Sequence, residues 1–170
     1  MRLESEFFQR DCLTVAKELV GKILVHKVGN GEYKLRITET EAYLGESDSA
    51  CHAHKGRTPR TETMYKKGGT VYIYLCYGMH HLLNIVTGKT EEAEAVLIRA
   101  CENPFNGPGK LTKALKITKE LNNTDVISEE SEIYVEDDGM RFGVVSGKRI
   151  GIDYASPEDR ERLWRFILKK

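Results

Sequence analysis

Apolar and polar residues follow a helical period and then a strand period in the first quarter of the chain. Apolar positions at helical spacing follow Asp11 and end before Gly21, which predicts a helix capped by Asp11 that extends to about Val20. The next two segments, ILVHKV and YKLRITETEAYL, are rich in strand-forming residues. The sequence GNGE between them predicts a hairpin-like turn.

The second of these strands has the most informative pattern. Alternate side chains of a strand point to the same face, so its odd-numbered residues should lie together. We therefore expect an apolar face that runs into two carboxylates and a tyrosine, formed by Leu35, Ile37, Glu39, Glu41 and Tyr43. Because an unpaired buried carboxylate is costly, this end of the strand should border a cleft or the surface.

Residues 45–69 combine glycine, serine, threonine, proline and charged side chains, and predict a long irregular segment of the kind that often carries binding residues. Three strands are predicted after it, at 70–77, 81–88 and 94–101. One face of the first is expected to carry Tyr72, Tyr74 and Cys76. On the last, the charged Arg99 is expected to share a face with Ala95, Leu97 and Cys101.

The remaining predicted elements lie in the last third of the chain. A short basic helix is predicted at 111–118 after a turn at GPGK, and the terminal segment 157–168 is expected to dock Leu163, Trp164 and Phe166. No strand–helix–strand pattern repeats. We therefore predict an α+β fold: a single domain over residues 1–170 with a largely antiparallel, curved β-sheet core flanked by short helices.

Composition bears on membrane association, cellular location and the state of the cysteines. The chain is 40% hydrophobic and has no apolar run of the roughly 18 residues that a membrane span needs, so no membrane partner is expected. The opening MRLESEFFQRDC lacks the features of a secretory signal, which favours an intracellular location, in the cytoplasm or nucleoid of a prokaryotic cell. The four cysteines are widely spaced and are expected to be reduced thiols.

Charge is balanced in total but segregated along the chain. The 26 basic and 26 acidic side chains cancel, yet acidic residues accumulate over 125–138 and basic residues collect at 55–67 and 110–119. Each run is compatible with a solvated surface, and the basic runs are also compatible with a polyanionic ligand.

The segment ETEAYLGESDSACHAH, residues 39–54, offers two kinds of chemistry. Cys51, His52 and His54 are possible metal ligands, but no second ligand pair stands at a zinc-like spacing, so no metal is expected. Alternatively, Glu39 or Glu41 could act as an acid or base beside a tyrosine. A purely structural role, pairing with Arg99 or Arg36, fits the same residues.

Several long motifs resemble the 3-methyladenine (alkyladenine) DNA glycosylase family. They are RITETEAYLGESDSACHAHKGRTPRTETMY, GGTVYIYLCYGMHHLLNIVTG, AVLIRA, GPGKLTKALKI and RIGIDYA, in the order of the family. The resemblance spans nearly the whole chain. It implies hydrolysis of the N-glycosidic bond of damaged purines, among them 3-methyladenine, 7-methylguanine, hypoxanthine and ethenoadenine, flipped out of duplex DNA. An abasic site would remain, and no cofactor is implied.

The resemblance also implies roles for individual residues. Glu41 would be the general base that activates a water, with Arg99 near the phosphate and the water. Tyr43, His52 and Tyr74 would line the base pocket, and Asn84 would help to exclude normal guanine. Tyr77 would wedge into the duplex. The DNA-facing residues would be Arg57, Thr58, Arg60, Met64 and Gly78.

The expected partner is double-stranded DNA that contains damaged purines, bound by a monomer. A second hypothesis is a catalytically silent nucleic-acid-binding domain that uses the same loop and Tyr77. A third is a zinc-dependent hydrolase built on the cysteine and histidines of residues 51–54.

Overall fold

The computed structural model describes all 170 residues. Eight strands form one connected antiparallel sheet flanked by four short helices, which confirms the predicted α+β fold. None of the helices is both long enough and apolar enough to cross a membrane. The strands are β1 (Ile23–Val28), β2 (Gly31–Leu44), β3 (Val71–Cys76), β4 (His80–Thr87), β5 (Glu94–Cys101), β6 (Ile133–Glu136), β7 (Val144–Gly147) and β8 (Arg165–Leu168). The helices are α1 (Ser5–Phe8), α2 (Cys12–Leu19), α3 (Pro108–Ala114) and α4 (Pro157–Glu161).

The long strand β2 is the centre of the sheet. The strand order is β3-β4-β5-β2-β1-β6, and β8 pairs with both β2 and β7. The first half of β2 pairs with β1. Its second half pairs with β5 on one side, and its residues 39–41 also pair with β8. The carboxylates of β2 therefore lie in the interior of the sheet, between strands from distant parts of the chain.

Helix α2 packs on one face of the sheet and forms the main core with it. Asp11 caps the helix, because its carboxylate accepts a hydrogen bond from the Thr14 N–H at 3.0 Å. Val15, Ala16 and Leu19 are fully buried in the cluster that also contains the inward residues of β2 to β5. The predicted helix is confirmed to within one residue at each end.

The predicted single face of β2 is wrong. The pairing with β5 is irregular on both sides of Glu39, and this inserts an extra residue after Ile37. Ile37 and Ala42 both belong to the core on the helix side, although they differ in parity. Glu41 and Tyr43 therefore point to the opposite face of the sheet from Ile37. They do share a face with each other, as predicted.

The same irregularity changes β5. Cys101 lies in the main core, whereas Leu97 and Arg99 line the cleft on the other side of the sheet. The expectation that Cys101 shares a face with Arg99 is therefore wrong, because the pairing skips Arg99 between Ile98 and Ala100.

The predicted helix at 111–118 has different bounds. Helix α3 begins at Pro108, which suits a first turn because its missing N–H has no partner to lose, and it ends at Ala114. Lys116 has a φ of +55°, which a helix cannot include. The predicted GPGK turn is therefore the start of the helix.

The terminal segment docks two of its three predicted anchors. Trp164 and Phe166 pack on the core, but Leu163 is 55% exposed. The chain that leads into β8 is extended, so its side chains alternate between two faces. Leu163 therefore points away from the face that carries Trp164 and Phe166. The prediction for Leu163 is wrong, and β8 itself, together with β6, β7 and α1, was not predicted.

The acidic segment 125–138 has structural partners within the chain. Asp137 pairs with Lys22 at 3.1 Å, Asp138 with Arg36 at 2.7 Å, and Glu136 with Lys34 at 3.2 Å. The carboxylate of Asp125 accepts hydrogen bonds from two N–H groups of the following turn. Much of this segment therefore fastens β6 and the loop after it to β1 and β2.

We predict that Leu83→Ala lowers the free energy of unfolding by about 2–5 kcal/mol, because Leu83 is fully buried in the main core. Leu163→Ala is the matched control, and we expect a change of no more than about 0.5 kcal/mol since that side chain is half exposed. Urea unfolding of both variants measures the two values. Equal effects would show that the core is assigned to the wrong face.

Candidate active site

A cleft opens on the face of the sheet opposite α2. It has a volume of about 650 Å³, and its lining includes Glu41, Tyr43, His52, Tyr74, Arg99 and Ile150. A second cavity of about 30 Å³ adjoins it, and its lining includes Ala50, Cys51, Met64, Tyr72, Asn84 and Ala95. The small cavity has room for about one water molecule, so any larger ligand would have to occupy the cleft.

Glu41 is the only carboxylate in the lining of the cleft, and its side chain is fully buried. The Tyr43 hydroxyl donates to its Oε1 at 2.9 Å, and the Ile150 N–H donates to its Oε2 at 2.7 Å. Burial raises the pKa of Glu41 above its ordinary value, while the Ile150 N–H, Arg99 and the Tyr43 hydroxyl act in the opposite direction. The result is a carboxylate that is a stronger base than an exposed glutamate.

Arg99 lies between the two carboxylates of β2. Its Nε is 3.7 Å from Glu41 Oε2 and 3.9 Å from Glu39 Oε2. Glu39 is also 3.8 Å from Arg165 Nε, on β8. These separations are ion pairs rather than hydrogen bonds. Glu39 is thus accounted for by structural pairing with two arginines, and Glu41 is the carboxylate that faces the cleft.

His52 and Tyr74 form one aromatic wall. Their ring centroids are 4.4 Å apart with an interplanar angle of 66°, and the His52 Nδ1 is 2.9 Å from the Tyr72 hydroxyl oxygen. Burial and the nearby Arg60 lower the pKa of His52 to about 4. Burial also raises the pKa of Tyr74. The wall is therefore uncharged at neutral pH, and a cationic ring can approach it without repulsion.

Asn84 is buried at the inner end of the site. It lies on β4 and lines the small cavity, where its amide donates to the Tyr72 carbonyl at 3.3 Å. Its position on the cleft side of the sheet follows from alternation, since Leu83 and Ile85 on either side of it are in the main core.

The three side chains considered as metal ligands have separate partners. His52 contacts Tyr72, His54 Nδ1 lies 2.8 Å from the Glu46 carbonyl, and Cys51 is buried against the Ala93 carbonyl. The chain contains no group of three or more histidine, cysteine or acidic side chains arranged to hold a metal ion. His52 and His54 belong to a turn of 3-10 helix (His52–Lys55), and Cys51 precedes it in an extended conformation, so the three side chains diverge.

The hairpin between β3 and β4 projects from the rim of the cleft. Tyr77 is 93% exposed and Met79 is 75% exposed at its tip. Tyr77 has a φ of +52° and Gly78 a φ of +67°, the left-handed conformation that glycine adopts most readily. Two large apolar side chains are thus held in solvent beside the cleft.

The residues predicted to contact DNA from the basic segment 55–67 differ in exposure and in their partners. Arg57 is engaged with Glu62 at 2.9 Å and Glu91 at 2.8 Å, whereas Arg60 is exposed at the cleft and lies over the Tyr74 ring at 5.5 Å. Thr58 is exposed and bonds Thr61 in a local turn. Met64 is only 2% exposed and lines the small cavity, so its side chain does not reach the surface.

Sequence reasoning did not assign Asp48, Arg149 or Ile150. Arg149 is fully buried and forms a two-pronged ion pair with Asp48 at 2.6 and 3.0 Å. The partners are 101 positions apart, so no local spacing could indicate the pair. Ile150 acts through its backbone N–H, which carries no sequence signal.

We predict that Tyr43→Phe raises the pKa of Glu41, because it removes a hydrogen bond that favours the charged form of the carboxylate. Tyr72→Phe is the matched control, since that hydroxyl contacts His52 and not Glu41. Carboxyl-carbon NMR over a pH titration measures both. An unchanged Glu41 titration in Tyr43→Phe would contradict the hydrogen-bond assignment.

Comparison with known proteins identifies the family. The model of the family described as methylpurine-DNA glycosylase (MPG) matches residues 6–104 and 102–170. A relative from Natranaerobius thermophilus is 43% identical, with 99% of this chain and 96% of the relative covered. One from Clostridium perfringens is 46% identical with the same coverage, and one from Psychrobacter cryohalolentis is 44% identical, with 97% and 91% covered. All three carry the name "Putative 3-methyladenine DNA glycosylase".

These matches extend over nearly the whole chain, and the cleft described above lies within them. The chain therefore belongs to the methylpurine-DNA glycosylase family and is a DNA-repair hydrolase of N-glycosidic bonds that acts on alkylated purines in DNA.

Proposed function

We propose that the protein excises 3-methyladenine, 7-methylguanine, hypoxanthine and ethenoadenine from nucleotides flipped out of duplex DNA, and leaves an abasic site. The observation that carries the proposal is the buried Glu41 carboxylate beside an uncharged aromatic wall in one cleft. Flipping gives the enzyme access to a bond that the duplex conceals, and damaged or weakly paired bases cost less to extrude.

In this proposal Glu41 is the general base. It takes a proton from a water molecule as the water oxygen bonds to C1′ and the bond from C1′ to the purine nitrogen breaks. The departing purine takes the bonding electron pair. The negative carboxylate also stabilises the positive charge that develops on the sugar in the transition state. Arg99, at 3.7 Å, would keep Glu41 ionised and would lie close to the water and the phosphate.

The aromatic side chains recognise the flipped base. His52 and Tyr74 form one wall, and Tyr43 would face the base from β2. A purine that carries a positive charge after alkylation gains from the electron-rich faces of the rings and is an activated leaving group. Neutral hypoxanthine leaves only when it is protonated. Asn84, at the inner end, would exclude normal guanine.

The exposed rim contacts the duplex. Tyr77 would insert into the space vacated by the flipped nucleotide, with Gly78 allowing the turn that presents it. Exposed residues of the loop, Arg60 and Thr58, would contact phosphates, which position a duplex without reading its sequence. Arg57 would do so only by exchanging its two acidic partners for phosphate, and Met64 would act through packing. The protein would act as a monomer, because one chain supplies the whole cleft.

We predict that Glu41→Gln lowers the rate constant for release of 3-methyladenine by about 100-fold or more, while affinity for lesion-containing duplex is retained. The amide has nearly the same shape but cannot take the proton from water. Single-turnover release of the base, followed by alkaline cleavage at the abasic site, measures the rate. Gel-shift binding measures the affinity.

Glu39→Gln is the matched control for this experiment. Glu39 is also within 4 Å of Arg99, at 3.9 Å, but it does not line the cleft, so base release should stay within a few-fold of wild type. Full activity of Glu41→Gln would reject the assignment of the base. Lesion binding by the wild-type protein without any alkali-labile product would favour a non-catalytic binding domain.

We predict that Tyr77→Ala weakens binding to lesion-containing duplex by about tenfold, since stacking of a ring on a base contributes about 1–3 kcal/mol. Tyr77→Phe keeps the ring and has the same positive φ, so it should bind like wild type. Fluorescence anisotropy with a labelled duplex compares the two. Equal losses in both variants would exclude a role for the ring.

A further inference from the structure

Arg149, the buried arginine in the loop after β7, donates hydrogen bonds from both of its terminal nitrogens. Its Nη1 donates to Asp48 at 2.6 Å and to the Ala42 carbonyl at 3.0 Å. Its Nη2 donates to the other Asp48 oxygen at 3.0 Å and to the Asp159 carbonyl at 3.2 Å. Only the Nε of Arg149 has no partner. One side chain thus connects β2, the loop that follows it, and α4.

The Asp48 carboxylate also has several hydrogen-bond donors around it. Beyond Arg149, it accepts hydrogen bonds from the backbone N–H groups of Leu44 at 3.0 Å and Ala50 at 3.1 Å. Ionised side chains with no exposure are tolerated only when nearly all their hydrogen-bonding groups are satisfied. The pair therefore fixes both the turn at 44–50 and the loop at 148–152 in one arrangement.

Both hydrogen-bond donors to Glu41 adjoin Arg149. Ile150, whose N–H donates to Glu41 Oε2, is the residue directly after Arg149. Tyr43, whose hydroxyl donates to Oε1, has its ring centroid 5.0 Å from the Arg149 guanidinium carbon. Arg149 does not line the cleft, so it cannot touch a substrate there.

We propose that Arg149 and Asp48 are a positioning pair that aligns the Ile150 N–H and the Tyr43 hydroxyl on Glu41, and so sets the orientation and basicity of this carboxylate. Lysine cannot replace the arginine, because a single ammonium group cannot make the fork of parallel bonds to Asp48 or reach four acceptors at once. The catalytic consequence rests on the proposed role of Glu41; the effect on Glu41 itself does not.

The charged and titratable groups that face Glu41 define what can alter its titration. They are Tyr43, Tyr74, Arg99, Arg149 and Tyr154. Two further charged groups are linked to them through Arg99: Glu39 pairs with Arg99, and Arg165 pairs with Glu39. Arg149→Lys keeps the charge of every one of them. A change in Glu41 titration in that variant would therefore report lost alignment and not a lost charge.

The test compares Arg149→Lys with Arg162→Lys. Arg162 is a matched control because it also lies over the Trp164 ring, at 5.1 Å against 4.8 Å for Arg149, but it pairs with Glu158 on the surface. The pKa of Glu41 is measured by carboxyl-carbon NMR, which requires no activity. Single-turnover release of 3-methyladenine from duplex DNA is measured against pH with enzyme in excess, so that the rate constant does not depend on the folded fraction.

For Arg149→Lys we expect a higher pKa of Glu41, because the Ile150 N–H that lowers it is no longer held in place. The pH of half-maximal rate should rise with it, and the rate constant at neutral pH should fall by about tenfold to 100-fold, as a misplaced catalytic group causes. Affinity for lesion-containing duplex should stay unchanged. Arg162→Lys should match wild type in every measurement.

A folded Arg149→Lys protein with wild-type Glu41 titration and wild-type rate would overturn the positioning pair. If that variant does not fold, Asp48→Asn tests the pair from the other side: a lower rate constant with retained DNA binding supports it, and a wild-type rate constant rejects it. Failure of the proposed function is a different result, in which the wild-type protein releases no methylated purine. The titration of Glu41 would still decide the inference in that case.

Discussion

The burial of the Glu41 carboxylate is the constraint on which the site depends. A carboxylate removed from water without partners would take up a proton or destabilise the fold by several kcal/mol. Here each oxygen accepts one hydrogen bond, and Arg99 is 3.7 Å away. These groups belong to β2, β5 and the loop after β7, so the ionised carboxylate requires the amino-terminal sheet and the carboxyl-terminal third to be assembled together.

Runs of strand-forming residues made most of the sheet predictable, and the irregular pairing of β2 with β5 produced the errors about which side chains share a face. The bounds of β1, β3, β4 and β5 were predicted to within one residue at each end, because each strand is a run rich in strand-forming apolar residues. The bulge near Glu39 was not foreseen, since it is fixed by pairing with β5 and not by local composition. The bulge puts Glu41 and Tyr43 on the opposite face of the sheet from Ile37. Glu41 and Tyr43 were still predicted to lie together, as both follow the bulge.

The residues that support Glu41 could not be predicted from local pattern. In the sequence, Arg149 has the appearance of a surface arginine between a lysine and an isoleucine, and Asp48 that of a polar loop residue. Only the tertiary fold removes both from water and joins them. Motif resemblance indicated Glu41, Tyr43, His52, Tyr74 and Arg99, all of which line the cleft. It did not identify partners whose contribution is a contact across 101 positions.

Residues buried at or behind the cleft are fixed by hydrogen bonds, whereas those at the tip of the β3–β4 hairpin are exposed. Glu41, Tyr43 and Arg149 are tied by hydrogen bonds that would break if they moved, whereas Tyr77 and Met79 stand in solvent at the hairpin tip. A catalytic carboxylate must keep its geometry while a distorted duplex is accommodated. If the protein acts as proposed, the exposed hairpin can adapt to DNA at little cost in internal contacts, because it has few to lose. The hairpin can then move without breaking the hydrogen bonds that orient Glu41. Recognition of the duplex and chemistry at the sugar would therefore use different parts of the molecule.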